Sequence, residues 1–264
     1  MLALSLAAVA LYLLAAGLVL RAVLAQADTP RAARGGLVAG LAAVALQLAD
    51  HAWVAWRVGG ADLHFFAALA IVGMGMAALS TAVAWRRPFA ALGSVVYPLA
   101  ALTLLGYALI GPRAPQSLAW PLQLHALLAL LAYATLAVGA VLALLSLAQE
   151  RALRSRRLDS RLLRAAPPLV QLETLLFRTL GAGFVLLSAT LLTGVVFVED
   201  LFAQHLVHKT VLSILAWLVF GWLLQGRVRH GWRGAMAVRL VLLAMALLLL
   251  AFFGSNFVLD VLRG

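Results

Sequence analysis

The chain has 264 residues, of which 65% are apolar and only 11% are charged, and its mean hydropathy is +1.06. A soluble globular domain is about half apolar and about a quarter charged. This composition excludes an ordinary soluble protein and indicates one whose excess apolar surface faces lipid. The chain contains no cysteine, which excludes disulfides, cysteine metal sites and covalent haem attachment to this chain.

Eight stretches lack Asp, Glu, Lys and Arg and either reach or can be extended to the about 20 residues that a membrane-spanning helix needs. They are 2–20, 35–49, 63–85, 88–112, 114–149, 179–198, 210–226 and 240–259. The second is long enough only if its helix runs through Asp50 to about Trp56, which places an acid inside the membrane. We expect the first to be a retained helix and not a cleaved signal peptide, because Arg21 follows its apolar run and no basic residue precedes it. The chain is predicted to be an all-α integral membrane protein with eight transmembrane helices, forming one polytopic domain over residues 1–264.

The basic residues predict the orientation. Of the 20 Lys and Arg residues, 16 fall on one side of the alternating loops, and the other side holds Arg57, Arg113, Lys209 and Arg263. The positive-inside rule makes the richer side cytoplasmic, with both termini outside, in the periplasm of a bacterium. The net charge of +11 is therefore explained by topology. We expect lipid as a partner and no nucleic acid.

The longest segment between spans is the basic cytoplasmic stretch from about residue 150 to 178. Its arginine-rich first part is predicted to extend the fifth helix. After Pro167 and Pro168, apolar residues recur at helical spacing from Leu169 to Leu176. This pattern predicts a short interfacial helix before the sixth span.

Histidines provide the candidate chemistry. On the predicted topology, His51, His125 and His208 lie near the outer ends of the second, fifth and seventh spans. Imidazole is an axial ligand for haem iron and also binds zinc or copper, so three imidazoles at one depth can hold a planar cofactor. The alternative is that they are ordinary interfacial residues. For Asp50 we favour a structural ion pair with Arg57 over a role in orienting a histidine or exposure by snorkelling.

Several motifs between about residue 49 and the C-terminus give the chain a family resemblance. The segments 172–178 and 183–184 match L-[DE]-x-L-x-x-R-x(4)-G-F, and Thr193 with Gly194 matches the [ST]-G that follows. His125 with residues 131–134 resembles H-x(5)-L-x-Y-A, and residues 253–256 resemble F-G-x-N. The chain thus resembles the cytochrome c assembly family, the CcsA and CcmC group of integral membrane proteins, and most closely its HemX/YpjD-like branch.

The chain departs from that family at two places. Lys209 and Trp217 keep their spacing in the family's tryptophan-rich outer stretch, but its other residues are replaced. The second outer histidine of CcsA, expected after F-G-x-N, has no counterpart in 257–264. His125 corresponds to the other outer haem ligand, so His208, or His51 in reserve, would have to replace its partner.

The resemblance implies a protein without enzymatic activity that binds or handles haem b in the bacterial cytoplasmic (inner) membrane. It would act in cytochrome or haem protein assembly at the outer side, with His125 and His208 on the iron. Lys209 and Arg57 would face the propionates and Trp217 the porphyrin, and other membrane proteins of haem or cytochrome assembly would be partners. The alternatives are a membrane scaffold or regulatory protein of the same fold without haem, and a transporter of ions or small solutes.

Overall fold

We analysed a computed structural model of the chain, which describes residues 2–25, 30–86, 89–112, 119–155, 167–197 and 207–254. These residues form eight α-helices and one π-helical turn. The elements are α1 (Leu2–Leu24), α2 (Pro30–Val58), α3 (Phe65–Arg86), α4 (Ala90–Ile110), α5 (Trp120–Arg154), α6 (Leu169–Phe197), α7 (Val207–His230), α8 (Gly234–Leu249) and the π-turn Leu250–Gly254. Eight segments of the described chain, the last being α8 with its first π-turn residues, are long and apolar enough to cross a membrane. This confirms the all-helical prediction with eight spans, whereas the orientation of the termini stays a prediction.

Local sequence explains where several helices begin and end. α2 starts at Pro30, and α6 starts directly after Pro168, because proline favours the first turn of a helix, where its missing N–H costs nothing. α2 and α4 are followed by Gly59 and Gly111, whose φ angles are 75° and 79°. Glycine adopts these left-handed values without a steric penalty, so it is the usual residue at such helix ends.

The structure changes one predicted element. The interfacial helix expected from Leu169 is not a separate helix, because residues 169–178 form the first part of α6, which continues unbroken to Phe197. No proline or glycine lies between residues 169 and 178 to interrupt it. The second predicted span does run through Asp50, which lies in the body of α2. The arginine-rich residues 156–166 lie outside the described residues.

The chain divides into two compact units. The first comprises Met1–Ser117 and Ala148–Leu172, and the second comprises Leu118–Leu147 and Glu173–Gly264. In the first unit, α1 packs against α2 and α4, and α3 packs against α4. Two buried tyrosines of this core, Tyr12 and Tyr97, bond to Gln47 at 2.8 Å and to Thr81 at 2.8 Å.

The second unit is built on close packing between α5 and α6. Trp120 meets Phe197 with 6.1 Å between ring centroids, and further along the same helix pair Leu136 packs over Gly183. α7 packs against α8 and against the π-turn. The hydroxyl of Tyr133 in α5 donates to the Leu248 carbonyl at 2.7 Å, which links α5 to the end of α8.

Candidate functional site

His125 is half-buried in the second turn of α5 and is held by α6. Its Nδ1 lies 3.1 Å from the Thr193 hydroxyl oxygen. That hydroxyl lies 3.0 Å from the Ala189 carbonyl and 2.9 Å from the Thr190 carbonyl, to which it donates its proton. The Thr193 oxygen therefore accepts from His125, and the hydrogen-bond network assigns the imidazole proton to Nδ1. The lone pair of Nε2 is left for a ligand.

Gly194 completes the seat of this imidazole. A Cβ atom at position 194 would lie 3.3 Å from the Cε1 atom of His125, which is closer than ordinary van der Waals contact. Glycine therefore lets the backbone of α6 approach the ring, while the neighbouring Thr193 fixes the ring's orientation. The two residues of the [ST]-G motif thus act on the histidine of the other motif, 68 residues earlier than Thr193.

The other predicted site residues of the second unit lie on α7. His208 is exposed in its first turn, and the Nζ atom of Lys209 lies 5.9 Å from the centroid of the Phe252 ring. Trp217 stacks on Phe184 with 5.5 Å between ring centroids and donates its indole N–H to Ser188 at 2.8 Å. Trp217 therefore serves as a packing contact between α7 and α6.

His51 and Arg57 belong to the first unit. The guanidinium of Arg57 lies 5.2 Å above the Trp53 ring, a cation–π contact within α2. Asp50 accepts a hydrogen bond from Ser5 at 2.5 Å instead of pairing with Arg57. The favoured Asp50–Arg57 ion pair is therefore wrong in this structure, because the aromatic face of Trp53 and the Ser5 hydroxyl supply the two contacts.

His51 lies in a buried polar cluster with Gln47, His64 and Tyr107. Its Nε2 is 3.4 Å from the Gln47 amide nitrogen, and its ring centroid is 4.8 Å from that of Tyr107. His64 lies 5.9 Å from Tyr107 between ring centroids. The Nδ1 of His64 bonds to Asp62 at 2.6 Å, and its Nε2 is buried without a hydrogen-bond partner.

Sequence reasoning missed this cluster. Its signal was the i, i+4 spacing of Gln47 and His51 on α2, which places both on one helix face beside Asp50. The partners Tyr107 and Asp62 carry no such signal, since they come from other segments of the chain. Within the described part of the chain, no three His, Cys, Asp or Glu residues are grouped to hold a metal ion. Of the six histidines in the chain, His205 lies outside the described residues.

Comparisons with known proteins bear on this architecture. A family model described as Cytochrome C assembly protein matches residues 35–263. An uncharacterized 28.8 kDa protein of Azospirillum brasilense is 36% identical over 241 residues, which cover 87% of this chain and 86% of that protein. The inner membrane protein YpjD of Escherichia coli is 37% identical over 134 residues, covering 51% of this chain and 50% of YpjD.

A more distant relative is the cytochrome c biogenesis protein CcsA of a Synechococcus strain. It is 24% identical over 201 residues, which cover 66% of each chain. No solved structure matches the chain. The eight apolar helices and the inner-membrane relative agree with the predicted multi-pass protein of the bacterial inner membrane.

Proposed function

Because the chain belongs to the cytochrome c assembly protein family, we propose that it binds haem b and takes part in assembling a cytochrome or another haem protein. It does so without enzymatic activity, at the outer side of the bacterial inner membrane. The observation that carries this proposal is the seat of His125, whose Nδ1 is committed to Thr193 and whose Nε2 is left for a ligand.

This arrangement suits a histidine that would bind the iron of haem. Histidines that bind a metal usually donate their second ring N–H to a carboxylate, a carbonyl oxygen or water, which fixes the tautomer and orients the ring. The Thr193 oxygen accepts the Nδ1 proton of His125 in the same manner. Bound haem would supply an iron centre, and His125 would supply the oriented imidazole that holds it.

In this proposal, His208 would be the second residue that holds the iron. Its side chain is exposed at the start of α7 in the unit that contains His125. His51, the reserve candidate, has its Nε2 beside the Gln47 amide and its ring against Tyr107. Because His51 would have to leave these contacts to bind iron, we favour His208. Lys209 remains the candidate for a propionate contact, and we assign that role to no residue of the first unit.

The test is the visible spectrum of the protein purified in detergent from haem-replete cells. We expect a Soret band in the oxidised and reduced states that stays with the protein through gel filtration. A preparation without a Soret band in either state would overturn haem binding. If such a preparation instead retained a stable protein partner, the result would support the scaffold function, which the replaced tryptophan-rich stretch already favours.

A further inference from the structure

Four exposed arginines of the second unit lie near the start of α6, at the end of α7 and at the start of α8. They are Arg178, Arg229, Arg233 and Arg239, and we call them the arginine surface. The described part of this unit contains a single acidic residue, Glu173. Among the described residues, none of the four arginines forms an ion pair. The arginine surface thus carries positive charge that no described carboxylate balances.

The turn between α7 and α8 is fixed by hydrogen bonds. The N–H of Gly231 donates to the Arg227 carbonyl at 3.1 Å, and the N–H of Trp232 donates to the Gly226 carbonyl at 3.3 Å. This pair of bonds is the Schellman pattern of a helix end, and Gly231 adopts the left-handed φ of 66° that the pattern needs. Two members of the arginine surface flank this turn. Their backbone is therefore held in place before any ligand binds.

Arg227 is half-buried and holds the same turn against α6. Its guanidinium lies 4.6 Å from the centroid of the Phe177 ring and donates to the Trp232 carbonyl at 3.3 Å. The Trp232 ring meets Trp222 edge-on, with 5.3 Å between ring centroids. These contacts join α6, α7 and the turn. Arg178 follows Phe177 directly in the chain, so α6 adds its arginine beside the contact that joins the three elements.

An exposed apolar face of α7 leads to the arginine surface. At the spacing of one helix face, α7 exposes Val211, Leu215, Leu218 and Trp222, and Arg229 continues the row seven residues later. Trp222, which is 57% exposed, lies between the apolar row and the arginine, as tryptophans at a membrane interface do. The order of this face matches that of a phospholipid, in which acyl chains lead through glycerol to a phosphate.

We propose that the arginine surface binds the headgroup of an anionic phospholipid of the phosphatidylglycerol type, with the acyl chains along the exposed face of α7. Arginine suits a phosphodiester because its guanidinium can donate two parallel hydrogen bonds to phosphate oxygens. The same arginines contribute to the predicted orientation, but orientation depends only on how many cations lie on each side. A fixed turn adds nothing to orientation, whereas it lowers the entropic cost of binding. The fixed turn and the aligned face therefore favour a lipid site over diffuse charge.

The first experiment measures equilibrium binding of acyl-chain-labelled phosphatidylglycerol to the purified full-length protein in detergent. We expect saturable binding that unlabelled phosphatidylglycerol displaces and zwitterionic phosphatidylcholine does not. Arg229→Gln combined with Arg233→Gln should raise the dissociation constant about tenfold or more, because it removes two charges that attract the headgroup. The matched control combines Arg151→Gln with Arg154→Gln, which removes two exposed arginines of α5 from the first unit. This control should keep the wild-type affinity within about twofold.

The second experiment needs only the wild-type protein and covers the case in which a variant fails to fold. A lipid that binds the folded state raises its stability by mass action, so phosphatidylglycerol should raise the thermal unfolding midpoint above that in an equal amount of phosphatidylcholine. Inorganic phosphate at the same concentration should not reproduce the rise.

Three results would overturn the proposal. They are wild-type protein without saturable phosphatidylglycerol binding, equal weakening by the two double variants, which would indicate diffuse charge, and a full response to inorganic phosphate, which would indicate a free anion as the ligand. Haem content does not enter either readout, so this test is independent of the proposed function.

Discussion

Histidines of the two units occupy opposite environments although all belong to one membrane protein. In the first unit, His64 has a side chain only 6% exposed and is bonded to Asp62, while His51 packs on Tyr107 beside Gln47. In the second unit, His125 is half-buried, and Thr193 engages only its Nδ1. An imidazole can bind a large planar group only if one ring nitrogen is free and has space beside it. The comparison favours haem chemistry in the second unit.

His125→Ala should have the largest effect. We expect haem content to fall by more than about 100-fold, since losing an outer-shell partner alone costs about 10–100-fold in metal affinity and this change removes the ligand itself. The Soret absorbance per protein measures it. The control is His230→Ala, which alters an exposed histidine at the other end of α7 from His208 and should leave haem content unchanged. Full haem content in His125→Ala would refute the ligand assignment without refuting haem binding.

Thr193→Val tests whether the orientation of His125 matters. The change removes the acceptor of the Nδ1 proton while nearly preserving side-chain volume, so we expect haem affinity to fall about tenfold or more. Haem titration of the apoprotein, followed by absorbance, gives the dissociation constant. Thr190→Val is the matched control, because the Thr190 hydroxyl donates to Leu186 within α6. Equal affinities for the two variants would show that the Thr193 hydroxyl does not position the ring.

Gln47→Leu addresses the first unit. Gln47 is fully buried and accepts the hydrogen bond of the Tyr12 hydroxyl. The substitution leaves the Tyr12 hydroxyl buried without its acceptor, which should lower the free energy of unfolding by about 1–3 kcal/mol. Denaturant unfolding in detergent measures this change. Haem content per folded protein should not change. The control is Gln225→Leu, an exposed glutamine of α7 that should not destabilise the protein. A loss of haem in Gln47→Leu would contradict the separation of roles between the units.

A pair of glycines on α6 gives the smallest predicted effect. A Cβ at Gly183 would lie 2.6 Å from a methyl carbon of Leu136, whereas one at Gly181 would meet nothing within 4 Å. Gly183→Ala should therefore destabilise the second unit by about 1 kcal/mol, since overpacking costs about 1–3 kcal/mol and better helix propensity returns about 1. Gly181→Ala gains the higher helix propensity of alanine without a steric clash, so it should be neutral or stabilising. The difference in unfolding midpoint between these variants is the measurement, and equal midpoints would argue against close α5–α6 packing at Gly183.

The sequence was sufficient to predict the spans because an apolar run of membrane length is a local property. α2 illustrates this, since only a helix through Asp50 made its span long enough, and α2 does contain Asp50. The sequence-based predictions were wrong at two places. A separate interfacial helix was predicted before the sixth span, but Leu169–Phe197 is one continuous helix. An ion pair with Arg57 was predicted for Asp50, but Asp50 accepts a hydrogen bond from Ser5, which is distant in the sequence.

Much of the candidate site was also visible in the sequence, but as separate pieces. His125, Thr193 and Gly194 were each identified through motifs, and their contact was not. The pairing of Gln47 with Tyr12, across 35 residues, had no motif to reveal it. Contacts across such separations depend on which helix faces meet, and apolar periodicity is weak in helices that are hydrophobic on all sides.

By itself, the sequence determined an eight-span membrane protein, its family and the histidines worth considering, because composition, span length and motif spacing are read along the chain. Only the tertiary structure decided which ring nitrogen of His125 is free, and that Asp50 bonds to Ser5 instead of pairing with Arg57. Both outcomes depend on the packing of one helix against another. Helix packing sets the partners, the burial and therefore the chemistry of each polar side chain.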